Sequence, residues 1–101
     1  MEIIKTENAD VIGIALKGRL DASTAPDLEA EFTKLFEEGK EQFELDLEGL
    51  EYISSAGLRV LLFAQKTVNT YENGKMVLRN VGDAVMDVFD MTGFTDILTI
   101  E

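Results

Sequence analysis

The chain has 101 residues, 46% of them hydrophobic, with 20 acidic side chains against 9 basic and a net charge of −11 at neutral pH. That length fits one domain, residues 1–101, with a modest core, and the acidic balance excludes a nucleic-acid surface, which needs clustered Lys and Arg to replace phosphate counterions. With neither cysteine nor histidine in the chain, disulfides, thiolate metal sites and histidine-based catalysis are excluded, leaving the acidic surface to serve solubility or to steer the chain toward a basic partner.

In chain order, Ile3 and Ile4 mark a short first strand, and VIGIALKG from Val11 a second, with Ile12, Ile14 and Leu16 on one face and Gly13 and Ala15 on the other. STAPDLEAEFTKLFEEG reads as a helix capped by Ser23 or Thr24, with Pro26 in its first turn and Gly39 at its end. Its stripe of Ala25, Leu28, Phe32, Leu35 and Phe36 needs a sheet to cover it. QFELDLEGL alternates, placing Phe43, Leu45 and Leu47 on one face of a third strand.

Leu58, Leu61, Leu62, Gln65 and Val68 recur at helical spacing, so a second helix begins near Ser55, with Asn73-Gly74 closing it. KMVLRN is a fourth strand, Val81, Ala84, Val85, Val88 and Phe89 outline a third helix stopped at Thr92-Gly93, and DILTI offers a last short strand. Strands separated by such helices call for right-handed crossovers into a mostly parallel sheet, with the first two strands pairing antiparallel. The expected fold is therefore α/β: a mixed sheet of four to five strands with three to four helices mainly on one face. No run approaches the roughly 20 consecutive apolar residues of a membrane span, and MEIIKTENAD lacks the basic and apolar regions of a signal peptide. A cytoplasmic protein without membrane contact is expected.

EYISSAGLRVLL, residues 51–62, places Ser54 and Ser55 between strand and helix. A serine nucleophile needs a base, most often histidine, and neither a Ser-x-x-Lys nor a Gly-x-Ser-x-Gly motif replaces it here. No calcium-loop spacing or phosphate-binding glycine loop is present either, so neither enzyme activity, cofactor nor metal is expected. On spacing alone the serines read as a helix cap. That reading is compatible with modification, because the positive end of a helix also favours an added phosphate.

DLEGLEYISSAGLRVLL, LKGRLDASTAPDLE and VGDAVMDVFDMTGFTDILTI, in their order along the chain, resemble the STAS domain family, specifically the small bacterial anti-sigma factor antagonists. The resemblance implies a non-enzymatic, phosphorylation-switched binding module. In that family the serine two residues before the motif glycine is phosphorylated, which here is Ser55, with Ser54 as a secondary acceptor. Where well-known members read Asp-Ser-[Ser/Thr]-Gly-Leu, this chain has Ser54 at the aspartate position and Ala56 before Gly57.

The implied partners are an anti-sigma factor serine kinase of the GHKL type, which the unmodified domain binds so that the sigma factor is freed, and a metal-dependent serine phosphatase of the PP2C type, which resets the switch. The resemblance, together with Arg59 standing off the apolar stripe of its helix, places the partner-binding face at Asp21, Ser23, Thr24, Ser54, Ser55, Gly57, Leu58 and Arg59. Gly57 is expected there to allow close backbone approach. Asp21 and Asp46 resemble family positions near the phosphorylated serine, with turn and cap chemistry as their other reading. A stand-alone STAS subunit of a lipid-transport or signalling scaffold is the alternative that keeps the fold. A response-regulator receiver would use Asp46 as phospho-acceptor, but it should also show an acidic pair after the first strand, where this chain offers only Glu7 and Asp10, separated and in a turn.

Overall fold

The computed structural model describes residues 1–101. Its elements are β1 (Glu2–Asn8), β2 (Val11–Leu20), α1 (Ala25–Glu37), β3 (Gln42–Ile53), α2 (Ser55–Asn69), β4 (Lys75–Arg79), α3 (Asp83–Thr92), a 3-10 turn (Phe94–Asp96) and β5 (Thr99–Ile100). The five strands form one sheet in the order β1-β2-β3-β4-β5. The β1–β2 pair is antiparallel and the other pairs are parallel. Each parallel connection steps one strand in the same direction, so right-handed crossovers carry all three helices to one face.

The side chains follow that geometry. Ile12, Ile14, Leu16, Phe43, Leu45, Leu47, Met76 and Leu78 all point to one face of the sheet, and they share a single buried cluster with Leu28 and Phe32 of α1, Leu61 and Val68 of α2, and Val85 and Phe89 of α3. Alternation in the strands and three-to-four spacing in the helices make this cluster, because each pattern turns one set of apolar side chains toward the other. Aromatic rings lock the α1 side of it: Phe32 meets Phe43 edge-on at 5.6 Å, and Phe36 meets Phe43 at 5.3 Å and Phe63 at 5.9 Å. The opposite face carries no helix, and Thr6, Gly13, Glu44, Val77 and Thr99 form one row across all five strands there, with Val77 screened from solvent by its neighbours.

Several boundaries differ from the sequence expectations. The first strand is seven residues long, because an edge strand held by pairing with β2 can keep most of its side chains exposed, with Ile3 alone half-buried. The third strand runs on to Ile53. Two register shifts against β2, at Ala15/Lys17 and Gly18/Arg19, let Leu50 and Ile53 turn into the core at a spacing that strict alternation would forbid. The second helix stops at Asn69, ahead of Asn73-Gly74, where a separate turn leads into β4. The third stops where expected, at Gly93, whose φ of 78° is the left-handed cap that only glycine adopts without strain.

Candidate functional site

The β2 and β3 strands are parallel neighbours, with Leu20 paired to Ile53, so the segments that follow them leave the same end of the sheet side by side. Asp21–Thr24 follows one strand and Ser54–Ser55 the other. The carboxyl end of parallel strands is the end where such sheets present functional groups. A backbone bond from Ser54 N to Leu20 O at 2.9 Å ties the two segments together.

Asp21 organises the first segment. Its Oδ1 accepts from Ser23 N at 3.0 Å, Ser23 Oγ at 2.7 Å and Thr24 N at 3.3 Å, while its carbonyl accepts from Ala25 N at 2.8 Å. These donors, led by the Ser23 hydroxyl, hold the Asp21 carboxyl below its ordinary value of 3.8. Thr24 stands at the N-cap position of α1 but does not cap it with its side chain. Its Oγ1 instead donates to Arg19 O at 2.8 Å and accepts from Asp21 N at 2.9 Å, so no side chain caps α1 as expected of Ser23 or Thr24, and the Asp21 carboxylate fixes the loop ahead of the helix through the Ser23 and Thr24 NH groups.

The two serines separate in role. Ser54 has extended backbone (φ −100°, ψ 176°) and is the N-cap of α2, its Oγ accepting from Gly57 N at 3.4 Å. Ser55 is the first helical residue; it is exposed and its hydroxyl makes no hydrogen bond within the chain. Arg59 is exposed one turn further on, with neither ion pair nor side-chain hydrogen bond. It edges a groove of about 170 Å3 between α1 and α2, together with Ala22, Ala25, Pro26, Glu29, Ala56 and Val60.

Of the eight residues expected on the binding face, Asp21, Ser23, Thr24, Ser54, Ser55 and Arg59 are wholly or partly open to solvent at this end of the sheet. Gly57 and Leu58 are not. Leu58 is 7% exposed and belongs to the core. A Cβ on Gly57 would lie 2.7 Å from Leu20 Cγ and 2.9 Å from Ile53 Cγ1, so the close approach that needs glycine is made by the domain's own core. Both residues pack within the domain itself and are closed to solvent. Asp46, in turn, lies in mid-strand, paired to Ala15 and Arg79, seven residues before the end of β3 and roughly 23 Å from it at the usual rise per residue. Its Oδ1 accepts from Glu48 N at 3.0 Å and Asn80 Nδ2 at 3.1 Å, which secures the turn after β4, where Asn80 has φ 58°. An acid so placed, in a sheet with an antiparallel first pair, is not a receiver's phospho-acceptor.

Sequence reasoning missed one feature at this end. Arg19 stacks on the exposed Tyr52 ring, its guanidinium carbon 4.1 Å from the ring centroid, and its Nε lies 3.9 Å from Asp21 Oδ2. The two residues pair only because the register shifts of β2 and β3 bring them opposite each other, and no spacing in the chain announces that. No three His, Cys, Asp or Glu side chains converge as metal ligands, and no helix is long and apolar enough to cross a membrane. The site is a polar surface at one end of the sheet with one unbonded hydroxyl, a hydrogen-bonded aspartate on the neighbouring segment and an unpaired guanidinium at the edge of a shallow groove, an arrangement suited to protein contact and to modification.

A family model described as the STAS domain matches residues 2–101. The chain belongs to the STAS domain family. This STAS domain is 38% identical over 85 residues to BtrV of Bordetella bronchiseptica, spanning 84% of this chain and 72% of that one. It is 30% identical over 94 residues to the anti-sigma-B factor antagonist of Bacillus subtilis, spanning 93% and 84%. Its fold superposes on the Bacillus protein SpoIIAA, an anti-sigma factor antagonist, with a TM-score of 0.83 for the unphosphorylated form and 0.78 for the phosphorylated form. Those alignments are 20% and 18% identical and cover 99% of this chain and 88% and 91% of the other.

Proposed function

We propose that this STAS domain is an anti-sigma factor antagonist, a cytoplasmic binding module without catalytic activity of its own. In its unmodified form it binds an anti-sigma factor through Asp21, Ser23, Thr24, Ser54, Ser55 and Arg59, and the sigma factor is released. The anti-sigma factor, a serine kinase of the GHKL type, then phosphorylates Ser55 and the complex separates. A PP2C-type serine phosphatase restores the binding form.

The observation that carries this reading is the division of labour between the serines. Ser54 holds the helix, which leaves the Ser55 hydroxyl exposed and unbonded at the first position of α2. A phosphate there adds about −1.5 to −2 charges without removing a bond from the fold. At a protein interface that charge brings desolvation cost and repulsion, so binding is lost while the domain stays folded. The relationship to an anti-sigma-B factor antagonist supplies the class of partner, and the fold shared with both forms of SpoIIAA is consistent with a switch that leaves the architecture in place.

The test is intact-mass measurement and site mapping after incubation with ATP and lysate of the source organism, with Ser55→Ala as control. One phosphate confined to Ser55 supports the switch. Absence of phosphate on both serines, while other kinase substrates in the lysate are labelled, overturns it and returns the constitutive scaffold reading.

A further inference from the structure

We infer that Arg59 is the receiving group for a phosphate on Ser55, so that modification adds a dianion and withdraws the site's free cation in one step. The inference rests on Ser55 as the modified residue and goes beyond it, because it assigns a partner inside the domain to the phosphate.

Ser55 and Arg59 are four residues apart in α2, which sets them on the same helix face with Cβ atoms about 6 Å apart. A helical side chain leans toward the helix N-terminus and covers the turn before its own Cα, so the long Arg59 side chain can reach Ser55 from the edge of the groove. Both are exposed. The other two arginines, Arg19 and Arg79, have carboxylates within 4.0 Å, whereas Arg59, like Lys17, Lys34, Lys66 and Lys75, has none, although Glu29 lines the same groove. In a chain of net charge −11, Arg59 is the one arginine of three without a counter-ion.

The surrounding charges lean the same way. The first turns of α1 and α3 each carry an acid, Asp27 and Asp83, and the first turn of α2 carries none. No carboxylate of that turn competes with a phosphate for Arg59, and Glu29 across the groove makes no ion pair with it within 4.0 Å. A guanidinium binds phosphate oxygens through two parallel N–H donors, a geometry that lysine's single ammonium does not reproduce. In the unmodified domain Arg59 is free to meet an acidic group of the partner at the mouth of the groove. Once held by the phosphate, it is not.

The experiment installs phosphoserine at position 55 during synthesis of the full chain, so that no kinase is needed, and follows the phosphorus-31 resonance against pH. The second ionisation of phosphoserine lies near 6, and a neighbouring cation lowers it. In the phosphorylated protein it should titrate about half a unit lower than in the phosphorylated Arg59→Gln protein, about a threefold difference in acidity, with Arg59→Lys in between. The positive end of α2 is common to all three proteins, so the difference isolates Arg59. Coincident titration curves overturn the inference, as does loss of helical circular dichroism on phosphorylation, because a phosphate that melts α2 is not held by it. The lowered pKa in a protein that nevertheless keeps its partner when phosphorylated would sustain this assignment while refuting the proposed switch.

Discussion

The backbone NH of Ser54 donates to the carbonyl of Leu20 across 2.9 Å, joining the entrance of α2 to the exit of β2. Through that bond the loop organised by Asp21 and the helix start that presents Ser55 become one surface, although more than 30 residues separate them in the chain. The two ends cannot shift independently, so an event at Ser55 is presented to a partner against a fixed background.

The two serines should part company under alanine substitution. Ser54→Ala removes the oxygen that accepts from Gly57 N and is expected to cost about 0.5–1 kcal/mol, the lower part of the usual capping range because the bond is long. Ser55→Ala should leave stability unchanged. Urea denaturation of both proteins checks this, and equal losses would show that the hydroxyl roles are shared.

Gly57→Val should damage the fold first. Its new side chain is forced against Leu20 and Ile53, and overpacking of this kind costs about 1–3 kcal/mol. For a domain of this size that lowers Tm by several degrees or more. A Tm equal to wild type, with partner binding lost, would return Gly57 to the interface.

Ser55→Asp should move stability and binding in opposite directions. An acid in the first turn of α2 meets the positive end of the helix and stabilises by about 0.3–1 kcal/mol, while its charge weakens binding to the anti-sigma factor at least about tenfold, or ~1.4 kcal/mol. Calorimetric titration paired with thermal melting reads both. Wild-type affinity in the variant would contradict the proposed switch.

Asp21 gives the domain an acid-sensitive contribution. The Ser23 hydroxyl first, then the Ser23 and Thr24 NH groups, lower its carboxyl below the ordinary 3.8. A depressed pKa means that the stabilisation is fully present above the unfolded value near 3.8 and is lost as pH falls through the lower folded value. The Tm difference between wild type and Asp21→Asn should therefore be constant at neutral pH and shrink on acidification below about pH 4. A difference that persists unchanged to pH 2 would show that the carboxylate charge contributes nothing.

Asp46→Asn should leave partner binding and Ser55 modification as they are, since the residue lies far along β3 and bonds to Glu48 N and Asn80 Nδ2. Loss of phosphate incorporation in Asp46→Asn would reopen a role for that acid in the chemistry.

Much of the architecture is legible because short-range patterns carry it. Alternation in VIGIALKG and QFELDLEGL and the stripes of the three helices identify the core before any contact is seen, and Gly93 ends α3 where the chain announces it. The site is legible in part. Ser55, Asp21 and Arg59 stand out by residue type and position, but Gly57 looks like a surface residue of a motif until burial is known, and Leu58 reads both as part of the apolar stripe of its helix and as a partner contact.

By itself the amino-acid sequence determined the order of elements, the apolar face of each, and the helix start that carries Ser54 and Ser55, because these depend on periodicity and on the local bonding of residues a few positions apart. Only the tertiary structure decided that Ser54 is the cap and Ser55 the free hydroxyl, that Gly57 faces Leu20, that Asp46 is remote from the site, and that Arg19 stacks on Tyr52. The Gly57 and Arg19 contacts depend on strand register, and the distance of Asp46 depends on how far β3 extends. A single bulge changes which side chains meet across β2 and β3, and the free energies that place such a bulge are sums over distant neighbours which no local pattern contains.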